Sequence, residues 1–175
     1  MTWPLIVSSH SPADTKALAG ALASLCRTGD IILLIGDLGA GKTAFAQGFA
    51  AALGVEGPVT SPTFALVRQY ACSEAAPVDL LIHADVYRTA SLPEVVDLAL
   101  TELVEERAIA LIEWGDMAAL AVGPDVLEVT IVAPDDPTSE SSASKRQISI
   151  VGQGAWAGRF REVAQAWAGV NGAMQ

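Results

Sequence analysis

The chain is short of several things, and each shortage excludes a class of protein. Only three of its 175 residues are lysine (Lys16, Lys42 and Lys145), and ten Lys and Arg face twenty Asp and Glu, a formal net charge of −10. Phosphate backbones attract clustered basic residues, and the few here are scattered, so the chain is not expected to hold nucleic acid by itself. Two cysteines, Cys26 and Cys72, have no metal or redox spacing and read as thiols of a reducing compartment. The longest run of large aliphatics is Ile31–Ile35, far below the roughly 20 apolar residues of a membrane span. Met1–Val7 has no basic residue and only a brief apolar run, unlike a secretory signal. Together these point to the cytoplasm, with no membrane role. Disorder is excluded from the opposite side, because 51% of residues are hydrophobic and 17% charged, ample for a core.

What is present alternates. Trp3–Val7 reads as a first strand. Ser11 then caps a helix with Pro12 at its first position and Asp14 completing the box, and Leu18, Leu22 and Leu25 share one face. Ile31–Ile35 is apolar throughout, as in the buried centre of a sheet. An Ala-rich helix is predicted over Lys42–Leu53 and a strand over Phe64–Tyr70. Leu80–Ala84 is an apolar strand closed by Asp85. Leu92–Arg107 has helical spacing, and Ile109–Ile112 is an apolar strand closed by Glu113. Val126–Val132 and Gln147–Val151 are two more strands, separated by the loop Ala133–Ser144. A last helix over about Trp156–Trp167 places Trp156, Phe160, Val163 and Trp167 on one face. Neither repeat nor linker interrupts this pattern. It implies one α/β domain over residues 1–175, a three-layer sandwich with a mainly parallel central sheet and helices on both faces.

The decisive motif lies between the apolar strand and the Ala-rich helix. Gly36-Asp37-Leu38-Gly39-Ala40-Gly41-Lys42-Thr43 fits G-x-x-x-x-G-K-[ST], the P-loop of nucleoside triphosphatases. Glycines let successive backbone N–H groups point at one cluster of phosphate oxygens, and the helix N-terminus adds its unpaired N–H groups. Lys42 supplies a charge for the β- and γ-phosphates, and Thr43 a hydroxyl for Mg²⁺. A glycine-rich turn could match by chance, but the strand before and the helix after are those the chemistry needs. Such sites also use an acidic group at a strand end. Asp85 and Glu113 both qualify, and in a parallel sheet both emerge at the edge where the loop lies. Guanine recognition by N-K-x-D is absent, since Asn171 is the single asparagine, and D-x-x-G is absent too. ATP is therefore expected over GTP.

Four blocks together resemble the bacterial TsaE (YjeE) family: the phosphate loop, Ser61-Pro62-Thr63-Phe64, His83-Ala84-Asp85-Val86-Tyr87-Arg88, and Leu111-Ile112-Glu113-Trp114. The resemblance runs from the first helix to about Trp114. It implies a small ATPase of tRNA threonylcarbamoyladenosine (t6A) biosynthesis that binds ATP or ADP. In that reading Thr43 and Glu113 bind Mg²⁺, Asp85 and Trp114 are needed for hydrolysis alongside Lys42, and Thr63 is a sensor near the γ-phosphate. Ser8–Thr15 would lie near the adenine. The partners implied are TsaD and TsaB, which act on adenosine 37 of tRNAs reading codons that start with A. The tRNA is then met only through them, in keeping with the acidic balance.

Other residues stay open. Arg88 reads equally as a phosphate contact or a carboxylate clamp. His83 reads as a hydrogen-bonded core or near-site group rather than a base. Trp3, Trp156 and Trp167 read as packing residues. Two rival functions remain, a small-molecule kinase of the P-loop class and a non-catalytic nucleotide-sensing module. The first lacks an arginine-rich lid, there being only seven arginines.

Overall fold

A computed structural model describes residues 4–62, 65–89, 91–105, 107–134 and 144–173. Thr63, Phe64, Trp3 and most of the Ala133–Ser144 loop therefore lie outside the described residues, as does the side chain of Phe160.

Seven strands form one sheet: β1 (Leu5–Ser9), β2 (Ile31–Ile35), β3 (Val67–Ala71), β4 (Leu80–Asp85), β5 (Ala108–Glu113), β6 (Val126–Val132) and β7 (Arg146–Gly152). Their order is β1-β7-β6-β2-β5-β4-β3. The central block β6-β2-β5-β4 is parallel. The flanks are antiparallel, β3 on β4 at one edge and β7 with β1 beyond β6 at the other. Within that block β2, β4 and β5 are buried almost throughout, because helices cover both their faces, whereas Glu128 and Thr130 interrupt the apolar run of β6. β7 alternates instead, with Ile148, Ile150 and Gly152 buried and Ser149 and Val151 partly exposed.

Six helices cover the sheet among the described residues: α1 (Pro12–Ala23), α2 (Lys42–Ala52), α3 (Leu92–Asp97), α4 (Leu100–Leu103), α5 (Gly115–Val122) and α6 (Ala155–Ala173). On one face α1, α2 and α6 bury Leu18, Leu22, Phe45, Phe49, Trp156 and Val163 against Ile32, Leu34, Leu81 and Leu111. On the other, Val95, Leu100 and Ala118 from α3, α4 and α5 cover Leu33, Ile82, Ala110 and Ile112. The α1–α2 contact is close enough that a Cβ on Gly48 would collide with the Lys16 backbone.

The predicted cap of α1 is present. Ser11 Oγ accepts from the Asp14 N–H at 3.1 Å. The Asp14 carboxylate reaches one residue beyond the expected partner, accepting from the His10 N–H at 2.8 Å. That bond holds the Asp14 carboxyl below its ordinary range. Leu92–Arg107 divides into the two short helices α3 and α4. Helix α5 has no counterpart in the sequence reading. Its N-cap is Trp114 at φ 60°, with no capping side chain, and Gly115 at its start has the lowest helix propensity after proline. Burial of Gly115 and Ala118 against the sheet holds it in place instead.

Candidate functional site

Strand pairing assembles the site. Asp85 on β4 sits opposite Glu113 on β5, and Glu113 opposite Leu34 on β2, one residue from the strand's end. Alternation then puts Leu81, His83 and Asp85, with Ile109, Leu111 and Glu113, on the sheet face that α2 covers. The loop from β2 to α2 passes over the same edge. At Gly36, φ is 150° and a Cβ would strike the Ile131 carbonyl oxygen of β6, so the loop can leave β2 only without a side chain there. Gly41 is the N-cap of α2 at φ 117° and offers no side chain, so the first N–H groups of the helix meet no capping side chain.

The result is a cleft of about 460 Å³. Leu38, Gly39, Gly41, Lys42 and Thr43 line it from the loop, Asp85, Glu113 and Trp114 from the strand ends, and Ser61, Tyr87 and Arg88 complete it. Eight of the residues expected from sequence thus converge. Gly36 and Asp37 contribute carbonyls instead: Lys42 Nζ donates to Gly36 O at 2.5 Å and Asp37 O at 3.0 Å. Ala40 is buried beside the cleft. Thr63 falls outside the described residues.

Lys42 Nζ also lies 4.1 Å from the centroid of the Trp114 ring, whose other neighbour is the Tyr87 ring at 4.5 Å. Desolvation pulls the Lys42 pKa below its ordinary 10.5, and the carboxylates of Glu113, Asp85 and Asp37 only partly oppose this. The two strand-end carboxylates are held differently. Asp85 Oδ2 accepts from Ser61 Oγ at 2.9 Å and its Oδ1 from the Tyr87 N–H at 3.0 Å. Glu113 Oε1 lies 3.0 Å from His83 Nε2, and both side chains are buried.

Two contacts here were not foreseen. Ser61, quoted in the sequence only as part of a block, is the hydroxyl that holds Asp85. Arg146 on β7 donates through Nε to Ala40 O at 2.7 Å and through Nη2 to Gly39 O at 3.4 Å, bracing the loop from a distant strand. Arg146 also lines a neighbouring hollow of about 320 Å³ with Ser8, Ser9, His10 and Lys145. No local signal marks Arg146, because its partners lie 106 and 107 residues away.

The sequence model of a family described as "Threonylcarbamoyl adenosine biosynthesis protein TsaE" matches residues 9–145. The chain belongs to the TsaE family. The TsaE proteins of Bacillus subtilis and Streptomyces coelicolor are 37% and 35% identical to it, over 74% and 79% of this chain and 78% and 90% of theirs. The crystal structure of Bacillus subtilis YdiB superposes with a TM-score of 0.71 and 27% identity, covering 96% of each chain. The family match spans every part of the cleft on β2, α2, β4 and β5. Arg146 falls one residue beyond it.

Chemically, this TsaE family member presents N–H donors, an ammonium and the Thr43 hydroxyl on one wall of a cleft, with two carboxylates on the other. Those oxygen donors suit Mg²⁺, which takes one or two carboxylates, substrate phosphates and water rather than an all-protein cage. Among the described residues there is no group of three or more His, Cys, Asp or Glu side chains that would form such a cage. No helix among the described residues is long and apolar enough to cross a membrane.

Proposed function

We propose that the chain is the ATP-binding and ATP-hydrolysing subunit of tRNA threonylcarbamoylation, acting on a TsaD–TsaB pair so that the modification of adenosine 37 can turn over. The observation that carries this reading is the convergence of the Gly36–Thr43 loop with Asp85, Glu113 and Trp114 in one cleft.

The residues divide the work. The uncapped N–H groups at the start of α2 and the Lys42 ammonium receive the phosphates. Lys42 is suited to this because its charge is poorly solvated and rests on loop carbonyls, which a phosphate oxygen can replace as a stronger acceptor. Thr43 and Glu113 would hold Mg²⁺. Bound there, the metal would neutralise charge on the phosphates as the terminal P–O bond breaks. Asp85, fixed by Ser61 and the Tyr87 N–H, orients the attacking water and accepts its hydrogen bond. Trp114 covers Lys42 and excludes water from it. The hollow beside Arg146, lined by Ser8, Ser9 and His10, supports placing the adenine on that side. The net charge of −10 supports leaving tRNA to the partners.

Steady-state phosphate release from ATP, measured with and without TsaD–TsaB, tests the reading. Mg²⁺-dependent turnover that rises with the pair and vanishes in Lys42→Ala is expected. Phosphoryl transfer to a small acceptor would favour a kinase instead. Tight ATP binding without turnover in either condition would favour a sensing module.

A further inference from the structure

His83 occupies a place where the fold asks for an apolar side chain. It lies within strand β4, fully buried, with Leu81 before it on the same face and Leu111 opposite it on β5. Among the described residues its Nδ1 has no hydrogen-bond partner, and a buried unpartnered nitrogen costs stability. The polar contact of the ring among the described residues is Nε2 to Glu113 Oε1 at 3.0 Å. We infer that His83 is a positioning residue that fixes the Glu113 carboxylate for Mg²⁺, an assignment that rests on the Mg²⁺–ATP reading of the cleft.

The geometry constrains how this works. His83 pairs across from Leu111, two residues before Glu113, so the imidazole meets the carboxylate from the core side while the strand end faces the cleft. With Glu113 ionised, Nε2 carries the proton and donates it to Oε1. That bond engages only Oε1, and since Glu113 and Thr43 line the same cleft, Oε2 is the oxygen left for a metal there. Without it, a glutamate side chain with three rotatable bonds must be ordered by the metal alone, and that entropy is charged against metal affinity. Asp85 differs, since a hydroxyl and a backbone N–H already hold its two oxygens.

The experiment measures ATP affinity of the full chain by calorimetry, first in EDTA and then across a MgCl₂ series, for wild type, Glu113→Ala, His83→Leu, His83→Asn and His83→Gln. Mn²⁺ binding in the presence of ADP, read by electron paramagnetic resonance, gives a second readout independent of turnover. His83→Leu should need about 10–100-fold more Mg²⁺ for half of the Mg²⁺-dependent gain in ATP affinity, the usual cost of losing a group that orients a metal ligand. Its affinity in EDTA should stay at the wild-type value. His83→Asn, polar but too short to reach Oε1, should match His83→Leu and carries the test if the leucine variant does not fold. His83→Gln, whose amide nitrogen reaches the same place, should return most of the metal affinity. An unchanged Mg²⁺ requirement in the Leu and Asn variants overturns the inference. So does an equal loss in EDTA, or a Gln variant no better than Leu. If Glu113→Ala raises the Mg²⁺ requirement and the His83 variants do not, only the positioning role fails. If wild-type affinity ignores Mg²⁺, the metal reading of the cleft fails and the inference falls with it.

Discussion

Two buried charge clusters sit at opposite ends of β2, and they are built on opposite principles. Just before the strand, Asp30 receives both Arg159 nitrogens, Nη2 at 2.5 Å and Nη1 at 3.0 Å, together with the Arg27 N–H at 2.7 Å. Arg159 also donates to Leu25 O, and its guanidinium lies 3.6 Å from the Trp156 ring. Both charged groups there meet complementary ones within the chain. Just after the strand, Lys42 rests on two neutral carbonyls and an aromatic face although Asp85 and Glu113 line the same cleft. A saturated pair pins α6 to the sheet and has nothing left to offer a ligand. Lys42, resting on neutral carbonyls and a ring rather than on a carboxylate, keeps its charge ready for something else, at some cost to the folded chain. The difference separates a structural ion pair from a site more sharply than burial does, since Asp30, Arg159, Lys42 and Glu113 are all under a tenth exposed.

The comparison breaks most visibly at the saturated end. Asp30→Ala leaves the Arg159 charge buried and unpaired, and should cost about 3–5 kcal/mol of stability, read by urea unfolding. Nucleotide affinity of the fraction that remains folded should be unchanged. Loss of ATP binding without loss of stability would mean the two ends are not separate in role.

At the open end the ranking reverses. Lys42→Ala should weaken ATP binding by two orders of magnitude or more, about 3 kcal/mol, because a desolvated cation aimed at phosphates is lost. Its melting temperature should stay close to wild type. Titration calorimetry and thermal melting on one preparation check both halves.

The two carboxylates sharpen the contrast within the cleft. Glu113→Ala should raise the Mg²⁺ needed for ATP binding roughly 10–100-fold. Asp85→Ala should keep MgATP affinity within a few-fold yet lose turnover, since both its oxygens are already held for orientation. Mg²⁺ titrations of binding and of phosphate release decide the assignment, and the opposite pattern would exchange the two roles.

The smallest effect tests the idea that the open end costs stability. Burial lowers the Lys42 pKa, so between that value and 10.5 the unfolded chain binds more protons than the folded one, and stability gains with rising pH. Below both values Lys42 destabilises the ligand-free fold. Lys42→Met should therefore melt about 1–3 °C above wild type at pH 7 without nucleotide, a margin that narrows as pH approaches 10. A variant that melts lower at pH 7 would show that the two carbonyl bonds outweigh the desolvation.

Much of this was legible in the chain. The strand, loop and helix from Ile31 to Leu53 are contiguous, so spacing, glycine and apolar pattern suffice to read them. Asp85 and Glu113 stand out because each ends an apolar run. Thr63 was named only through the family resemblance of its block, and it lies outside the described residues. The element missed was α5, whose start has a poor helix former and a left-handed tryptophan cap in place of a recognisable one. Local signals are silent where packing supplies the stability.

The amino-acid order by itself thus determined where the glycine-rich loop lies between strand and helix, which central strands are buried, and which family the motifs resemble. Only the tertiary structure decided that β3, β7 and β1 pair antiparallel at the flanks, that Ser61 holds Asp85, that Arg146 braces Gly39 and Ala40, and that His83 meets Glu113. The side-chain contacts among them join residues 24 to 107 apart, and β1 reaches β7 from the other end of the chain. A slip of one residue between β4 and β5 would turn His83 and Asp85 to the opposite face of the sheet. Register is fixed by the packing of both sheet faces at once, and no local stretch of sequence contains that sum.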